Sequence, residues 1–198
     1  MAAPELVKLY FDYKSPYAYL AKDQAFALPE RYAISLRWIP FQLRLKGPGE
    51  RSIYSEWKAR YSYMDARRWA NRRGGFRIMG PRKIYDSTPA LIGGLYAMRG
   101  GFFRPYTDLT FSRFFERTLE IDRTEDVAAA IDELGYSGAR YLEYAADEGA
   151  KAFAASMAEA ADDHVFGVPL FIVRGEQFWG QDRMPLLEDR LTELSLRR

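Results

Sequence analysis

The sequence predicts an α/β fold made of a β-α-β unit and a β-β-α unit, with a large all-helical insertion between them. Two apolar strand segments, residues 6–11 and 34–39, flank a helix and indicate the first unit. An apolar run at residues 170–173, followed by a turn, a short strand and a last helix, indicates the second. We therefore expect a single domain over residues 1–198, with the helical insertion at approximately 44–160.

The start of the first helix is marked by Ser15 and Pro16. Serine is a favoured N-cap because its hydroxyl accepts a hydrogen bond from an amide of the first turn. Proline suits the first helical position, where no amide hydrogen is needed. We predict that this helix stops near Pro29, before the second strand.

The middle of the chain carries helical spacing and few strand signals. Its first predicted helix runs from residue 52 to Gly74, and its aromatic residues fall at a spacing that suits a buried stripe: Tyr54, Trp57, Tyr61 and Trp69. The later predicted helices begin at Thr88, cover residues 106–119, are capped by Thr124, begin at Ser137 and pass through residues 152–161.

The tripeptide Gly167-Val168-Pro169 precedes the apolar run of the second unit. Proline cannot donate a ladder hydrogen bond, so within a sheet it belongs at the first residue of a strand, at an edge or at a bulge. A proline in this place leaves the backbone of Val168 available to pair with something other than its own sheet, such as an extended peptide.

The absence of cysteine excludes several kinds of chemistry. The 198 residues contain no Cys and one His. Disulfide staples, Cys-ligated metals and thiol redox chemistry by the protein's own side chains are therefore excluded, and we expect no His-based metal site. No stretch is apolar over the length of a membrane span, and the start lacks a signal-peptide pattern. We expect a cytoplasmic protein that binds no membrane.

Charge is unevenly distributed along the chain. Residues 44–83 are strongly basic and residues 116–163 strongly acidic, although the net charge is only +2. The simpler interpretation is two solvated helix faces; the alternative is that part of the basic segment faces an anionic ligand. Aromatic residues among the basic ones also permit a nucleic-acid surface. Because their spacing favours burial, we expect no nucleic-acid partner.

The order of elements resembles the thioredoxin fold of the DsbA and kappa-class glutathione transferase group. The motifs that carry the resemblance are YFDYKSPYAYL from Tyr10, KARYSYMDARRWA from Lys58, Tyr85-Asp86-Ser87, and FGVPLFIVRGEQFWGQDR from Phe166. In that group a cysteine pair begins the first helix, opposite a cis-proline, whereas here Ser15 and Ala18 take the two positions. Disulfide exchange needs thiolates. The chain is therefore most similar to the serine branch, and within it to the 2-hydroxychromene-2-carboxylate isomerases.

The resemblance implies glutathione as cofactor. In this interpretation Ser15 is the catalytic residue, because its hydroxyl hydrogen-bonds the glutathione thiolate at the helix start, where the dipole also favours an anion. The cysteinyl part pairs with Val168, which a cis bond to Pro169 turns towards Ser15. The residues that hold the γ-glutamyl end are the backbone of Trp179, Gly180, Gln181 and Asp182. Gln181 stands where relatives more usually have Asn or Ser.

The resemblance also implies a second substrate, a small aromatic carboxylate bound by Lys46, Arg51 and Tyr85. The expected reaction is isomerisation by reversible thiol addition, bond rotation and elimination, and a homodimer is expected by family analogy. Two alternatives stay open: a kappa-like glutathione transferase and a redox-inactive thioredoxin-like binding module. Plain structural roles compete at single residues, since Ser15 and Asp182 can be simple N-caps and Trp179 a core residue.

Overall fold

The structure, a computed structural model, describes residues 3–43 and 56–198, and its centre is a four-stranded sheet. The strands are β1 (Glu5–Phe11), β2 (Ile34–Pro40), β3 (Leu170–Val173) and β4 (Glu176–Trp179). They lie in the order β2-β1-β3-β4, where β1 is parallel to β2 and antiparallel to β3, and β4 is antiparallel to β3. The two predicted α/β units are therefore confirmed, and their first strands pair at the middle of the sheet.

Helix α1 (Pro16–Arg31) joins β1 to β2, and α8 (Met184–Glu193) follows β4 through a 3-10 turn, Gln181–Arg183. Between β2 and β3, the described part of the chain forms the helices α2 (Glu56–Arg73), α3 (Thr88–Arg99), α4 (Phe103–Phe115), α5 (Thr124–Glu133), α6 (Gly138–Ala146) and α7 (Glu148–Asp162). The predicted α/β architecture with a helical insertion is thus confirmed.

The sheet has helices on both faces because successive side chains of a strand point to opposite sides. Val7, Leu9 and Phe11 of β1 pack into the larger core together with α1, α8 and the insertion helices. Tyr10 points the other way, into a smaller cluster with Ala160 of α7. This second cluster also contains Val168 and Leu170, so the entry to β3 is fixed by packing beneath α7.

Helix α1 ends close to the predicted position, whereas the predicted boundaries of α4 and α5 are wrong by a few residues. Helix α1 continues past Pro29 to Arg31, because a proline in the last turn costs only one amide donor and the Tyr32 amide still bonds to Leu28 O at 2.9 Å. Helix α4 begins and ends earlier than predicted. Thr124 is the first residue of α5, not its cap; Arg123 takes the cap position without a side-chain hydrogen bond.

The prediction of a buried aromatic stripe on α2 is confirmed only in part, because Trp69 is half-buried against the main core and the others in the described residues are not. Trp57 and Tyr61 are 77% and 55% exposed, while Ala66 and Ala70 are buried. Small residues let α2 approach its neighbours closely, and the larger rings of Tyr63 and Trp69 pack at the margin of this inward face. Tyr54 lies outside the described residues.

An ion-pair network ties the end of α7 to β1. Asp163 Oδ2 accepts hydrogen bonds from Lys8 Nζ at 2.6 Å and from the buried Tyr10 hydroxyl at 2.5 Å. Partial burial opposes ionisation of Asp163, but these two donors more than offset it and hold the pKa of the carboxyl below its usual value.

No helix in the described ranges is both long and apolar enough to cross a membrane.

We expect Asp163→Asn to lower the free energy of unfolding at pH 7 by about 1 kcal/mol relative to Asp162→Asn, which removes the same charge from an exposed neighbour. A lowered folded-state pKa stabilises the protein above the unfolded value of about 3.9, and this contribution is lost as pH falls through the folded pKa. Urea unfolding at pH 7 and pH 3 should therefore show the gap between the two variants closing in acid. A gap that persists unchanged at pH 3 would contradict this account.

Candidate functional site

The Ser15 side chain links the β-α-β unit to the β-β-α unit. Its hydroxyl accepts a hydrogen bond from the Ala18 amide at 3.2 Å, which makes it the N-cap of α1, and donates to Val168 O at 3.2 Å. The residue is only 1% exposed. The same side chain therefore caps helix α1 and hydrogen-bonds to Val168. The second contact holds the start of α1 directly against the loop before β3.

The Val168–Pro169 peptide bond is cis, as expected. Within the described residues, the Val168 amide donates no backbone hydrogen bond, and strand β3 begins only at Leu170. Gly167 is required by a close neighbour: a Cβ there would lie 2.7 Å from Nε1 of Trp179. Pro169 connects the loop to the other half of the site, because its carbonyl accepts from the Gly180 amide at 2.9 Å.

A cleft of about 270 Å³ runs from this loop to helix α2, and we call it the polar cleft because several charged side chains line it. Its wall contains five of the seven residues predicted to bind glutathione, and Ser15 and Pro169 are not among them: Val168, Trp179, Gly180, Gln181 and Asp182. Charges of both signs line it: Lys58, Asp65, Asp182 and Arg183. The cleft can therefore meet a ligand that carries both anionic and cationic groups.

Trp179 is not a core residue. Its side chain is 46% exposed and packs edge-on against Phe166, with ring centroids 4.9 Å apart. The Lys58 ammonium lies 6.0 Å from the centre of the indole, on the other wall of the cleft. The indole is thus available to a ligand as well as the backbone named from sequence.

Gln181 and Asp182 take different positions in the 3-10 turn that follows Gly180. Gln181 is buried, and its Oε1 accepts a hydrogen bond from Arg73, which also donates to Leu20 O at 2.9 Å. The Gln181 side chain therefore ties α2 to the turn. Asp182 is exposed, pairs with Arg183 at 2.7 Å and caps neither the turn nor α8.

A second, apolar cleft of about 140 Å³ lies on the other side of the helix start. Lys14 and Pro16 line it, so it flanks Ser15, and Ser62 lines both clefts and places them side by side. Tyr85, predicted to bind substrate, is in its wall. The Tyr85 hydroxyl donates to Glu120 at 3.3 Å, and burial, reinforced by that carboxylate, raises the pKa of the phenol.

Lys46 and Arg51, the other two residues predicted to bind substrate, lie outside the described residues. In the described ranges, no group of three His, Asp or Glu side chains is arranged to hold a metal ion.

A buried carboxylate lies directly under the helix start. Asp12 is fully buried, and its oxygens accept from the amides of Lys14 at 3.1 Å and Leu43 at 2.8 Å. Burial raises the pKa of Asp12, although the nearby Lys14 ammonium and these amides oppose the shift. Asp12 thereby anchors the segment after β2 beside Ser15.

Sequence reasoning missed several residues of the two clefts. Tyr17 lines the polar cleft and donates to Asp65 at 2.9 Å, and Lys14 lines the apolar one. Both lie within two positions of Ser15, and this proximity was a signal that could have found them. Asp65 lies within the motif that begins at Lys58, but neither it nor Arg73 carried a signal of contact with the site, because they reach it only through the packing of α2 against α1.

The four-stranded sheet with its helical insertion, the serine-capped first helix and the cis-proline before β3 define a thioredoxin-like protein. The model of the DSBA-like thioredoxin domain matches residues 6–192. The chain belongs to the DsbA-like thioredoxin domain family.

The relatives that match this chain over nearly its full length share one enzyme name. The 2-hydroxychromene-2-carboxylate isomerase of Pseudomonas putida is 27% identical over 197 residues, which cover 96% of this chain and 95% of that protein. The 2-hydroxychromene-2-carboxylate isomerase of Pseudomonas sp. (strain C18) is 26% identical over 192 residues, 93% of this chain and 89% of that protein.

Solved structures agree with this assignment. A selenomethionine form of 2-hydroxychromene-2-carboxylate isomerase superposes with a TM-score of 0.79 at 26% identity and covers 96% of both chains. A probable DsbA oxidoreductase from Streptomyces coelicolor gives a TM-score of 0.75 at 19% identity over 96% of this chain and 89% of that one, a likeness of fold alone.

We expect Ser15→Ala to lower the free energy of unfolding by about 2 kcal/mol, because it removes an N-cap and also leaves the buried Val168 carbonyl without its donor. Ser137→Ala is the matched control. Ser137 caps α6 through the Arg140 amide, also at 3.2 Å, but lies at the exposed surface, so its loss should cost about 1 kcal/mol. Urea unfolding measures both, and an equal or smaller cost at Ser15 would contradict the bridging role.

Proposed function

We propose that the protein is a glutathione-dependent isomerase of 2-hydroxychromene-2-carboxylate or a related aromatic oxoacid. The observation that carries the proposal is the contact of Ser15, at the start of α1, with Val168, next to the cis-proline. Isomerase relatives that match nearly the whole chain support the reaction type. Glutathione dependence is inferred from the charges and hydrogen-bonding groups of the site.

The polar cleft fits the charges of glutathione, an extended tripeptide with two carboxylates and one ammonium. Asp65 and Asp182 offer partners to an ammonium, and Lys58 and Arg183 to carboxylates. The backbone of Val168 suits the cysteinyl part, because an extended peptide adds to an available strand edge by main-chain hydrogen bonds. The chain itself contains no cysteine, so thiol chemistry at Ser15 requires a thiol from the ligand.

Ser15 prepares the site for a thiolate by exchanging hydrogen-bond acceptors. Its hydroxyl now donates to Val168 O. When an extended ligand pairs with Val168, the ligand amide takes over that carbonyl and the hydroxyl is released to donate to sulfur. The amides and dipole of the first turn of α1 also favour an anion there. Together they lower the thiol pKa, as helix N-termini do for cysteine.

The apolar cleft would hold the second substrate next to this thiolate. Held by Ser15 and Val168, glutathione would supply the thiolate nucleophile for isomerisation by reversible addition, bond rotation and elimination. Tyr85 lies in the cleft wall, and we propose that it orients the substrate together with Lys46 and Arg51. Excluding water from this apolar wall strengthens every electrostatic contact made inside it.

The proposal also concerns assembly and location. A homodimer is proposed by analogy with the family. The cytosol is the proposed location because thiols are kept reduced there.

The test is an isomerisation assay with 2-hydroxychromene-2-carboxylate, in which substrate and total free glutathione are both followed. We expect glutathione-dependent turnover without net consumption of glutathione. Ser15→Ala should reduce kcat/KM by about 100-fold or more, the usual cost of losing one donor to a developing anion. Ser137→Ala, the other capping serine, should retain activity once measured well below its unfolding midpoint.

Other outcomes would replace the proposal. Stoichiometric loss of glutathione into a conjugate would identify a kappa-like transferase. Absence of glutathione binding by calorimetry would identify a thioredoxin-like binding module. Full activity of Ser15→Ala would remove Ser15 from the mechanism.

A further inference from the structure

The apolar cleft beside Ser15 carries cationic charge and no carboxylate among its described lining residues. Most of its wall is apolar or aromatic, including Pro16, Ile84 and Phe114. The charged residues in that wall are two lysines, Lys14 and Lys83. A cation in an apolar cleft favours an anionic ligand, because the low local dielectric strengthens the attraction. The two lysines, however, are not equivalent.

The charge of Lys83 is already compensated. Its ammonium lies 3.2 Å from the Glu120 carboxylate and 2.9 Å from that of Asp122. It also lies 4.8 Å from the centre of the Tyr85 ring, and its side chain is 49% exposed. With two carboxylates within hydrogen-bond distance, Lys83 has little net attraction left for a further anion.

Lys14 is the more buried of the two and is compensated far less. Its side chain is 17% exposed, and its Nζ donates to the Tyr85 carbonyl at 3.0 Å. The nearest carboxylate oxygen in the described ranges, Oδ2 of Asp12, is 3.9 Å away, beyond hydrogen-bond distance, and already accepts from the Leu43 amide. An ammonium has three donors. The described contacts therefore leave Lys14 donors for a ligand.

The backbone fixes where this ammonium stands. Lys14 immediately precedes Ser15, and its carbonyl accepts from the Tyr63 hydroxyl at 3.1 Å, while its amide donates to Asp12. Held from both sides, the residue presents its side chain to the apolar cleft, whereas the Ser15 partner, Val168, lines the polar cleft. A substrate in the apolar cleft thus meets the Lys14 ammonium one residue from the thiol-activating hydroxyl.

We propose that Lys14 binds the carboxylate of the second substrate and makes the apolar cleft select flat aromatic anions over neutral aromatics. This inference rests on the proposed function for the identity of the reaction, but not for the ligand preference of the cleft. Lys14 acts as a specificity-determining residue, distinct from Lys46, Arg51 and Tyr85.

The experiment compares binding of 2-hydroxycinnamate with its neutral amide by calorimetry, without glutathione. Wild type should bind the acid about tenfold more tightly than the amide, the worth of one charge-assisted hydrogen bond. Lys14→Met should abolish this preference, whereas Lys83→Met, which removes an equal charge from the same wall, should keep it. Lys14→Arg, which restores the charge, should recover most of the preference and shows that the site still folds.

Three results would overturn the inference: no preference in wild type, a preference that survives in Lys14→Met, or an equal loss in Lys83→Met. A thiolate-stabilising role is separated by titrating the ultraviolet absorbance of bound glutathione. If Lys14→Met raises the thiol pKa and leaves the preference for acid over amide intact, Lys14 serves the thiol and the inference is wrong.

Steady-state kinetics test the role of Lys14 separately from the proposed function. With 2-hydroxychromene-2-carboxylate, Lys14→Met should raise KM about tenfold with little change in kcat, as expected for a lost binding contact. If wild type does not isomerise the substrate but keeps a Lys14-dependent preference for the acid, the isomerase proposal is wrong and the role of Lys14 is supported.

Discussion

The hydrogen bond from the Ser15 hydroxyl to the Val168 carbonyl is the contact on which the site depends. It joins residues 153 positions apart and closes the β-α-β unit against the β-β-α unit. The pairing of β1 with β3 brings the two segments to the same end of the sheet, and Tyr10 opposite Leu170 sets the register. The entire helical insertion lies between them in sequence. Strand pairing therefore holds the central contact in place although the insertion separates its two partners in sequence.

Two clefts that differ in their charged side chains lie around this contact. The polar cleft mixes charges of both signs, and the apolar cleft is bordered by lysines. Helix α2 contributes to both, since Ser62 lies in each wall, and it is anchored by Tyr17 to Asp65 and by Arg73 to Gln181. A thiol ligand in one cleft and an aromatic acid in the other would meet over Ser15. The two clefts lie on different sides of one helix start.

The parts that sequence could predict are those with local signals. Ser15-Pro16 predicts a helix start, and a proline at the beginning of an apolar run predicts the loop before β3. The inward face of α2 could not be predicted in this way. Its aromatic residues and its small residues Ala66 and Ala70 both recur at helical spacing, and only the closeness of the neighbouring helices favours the small ones. The closeness of Lys14 to Ser15 was visible in the sequence, but the placement of its ammonium was not, because that depends on the carbonyl of Tyr85, 71 residues away.

The central claim is that Ser15 and Val168 together hold a thiol that the protein does not itself possess. The most direct measurement is a crystal structure of the protein saturated with glutathione. The account predicts the sulfur within hydrogen-bond distance of the Ser15 hydroxyl, with the cysteinyl backbone paired to Val168 and the γ-glutamyl end near Asp182. Glutathione bound elsewhere, or sulfur turned away from Ser15 while its hydroxyl still donates to Val168, would contradict it.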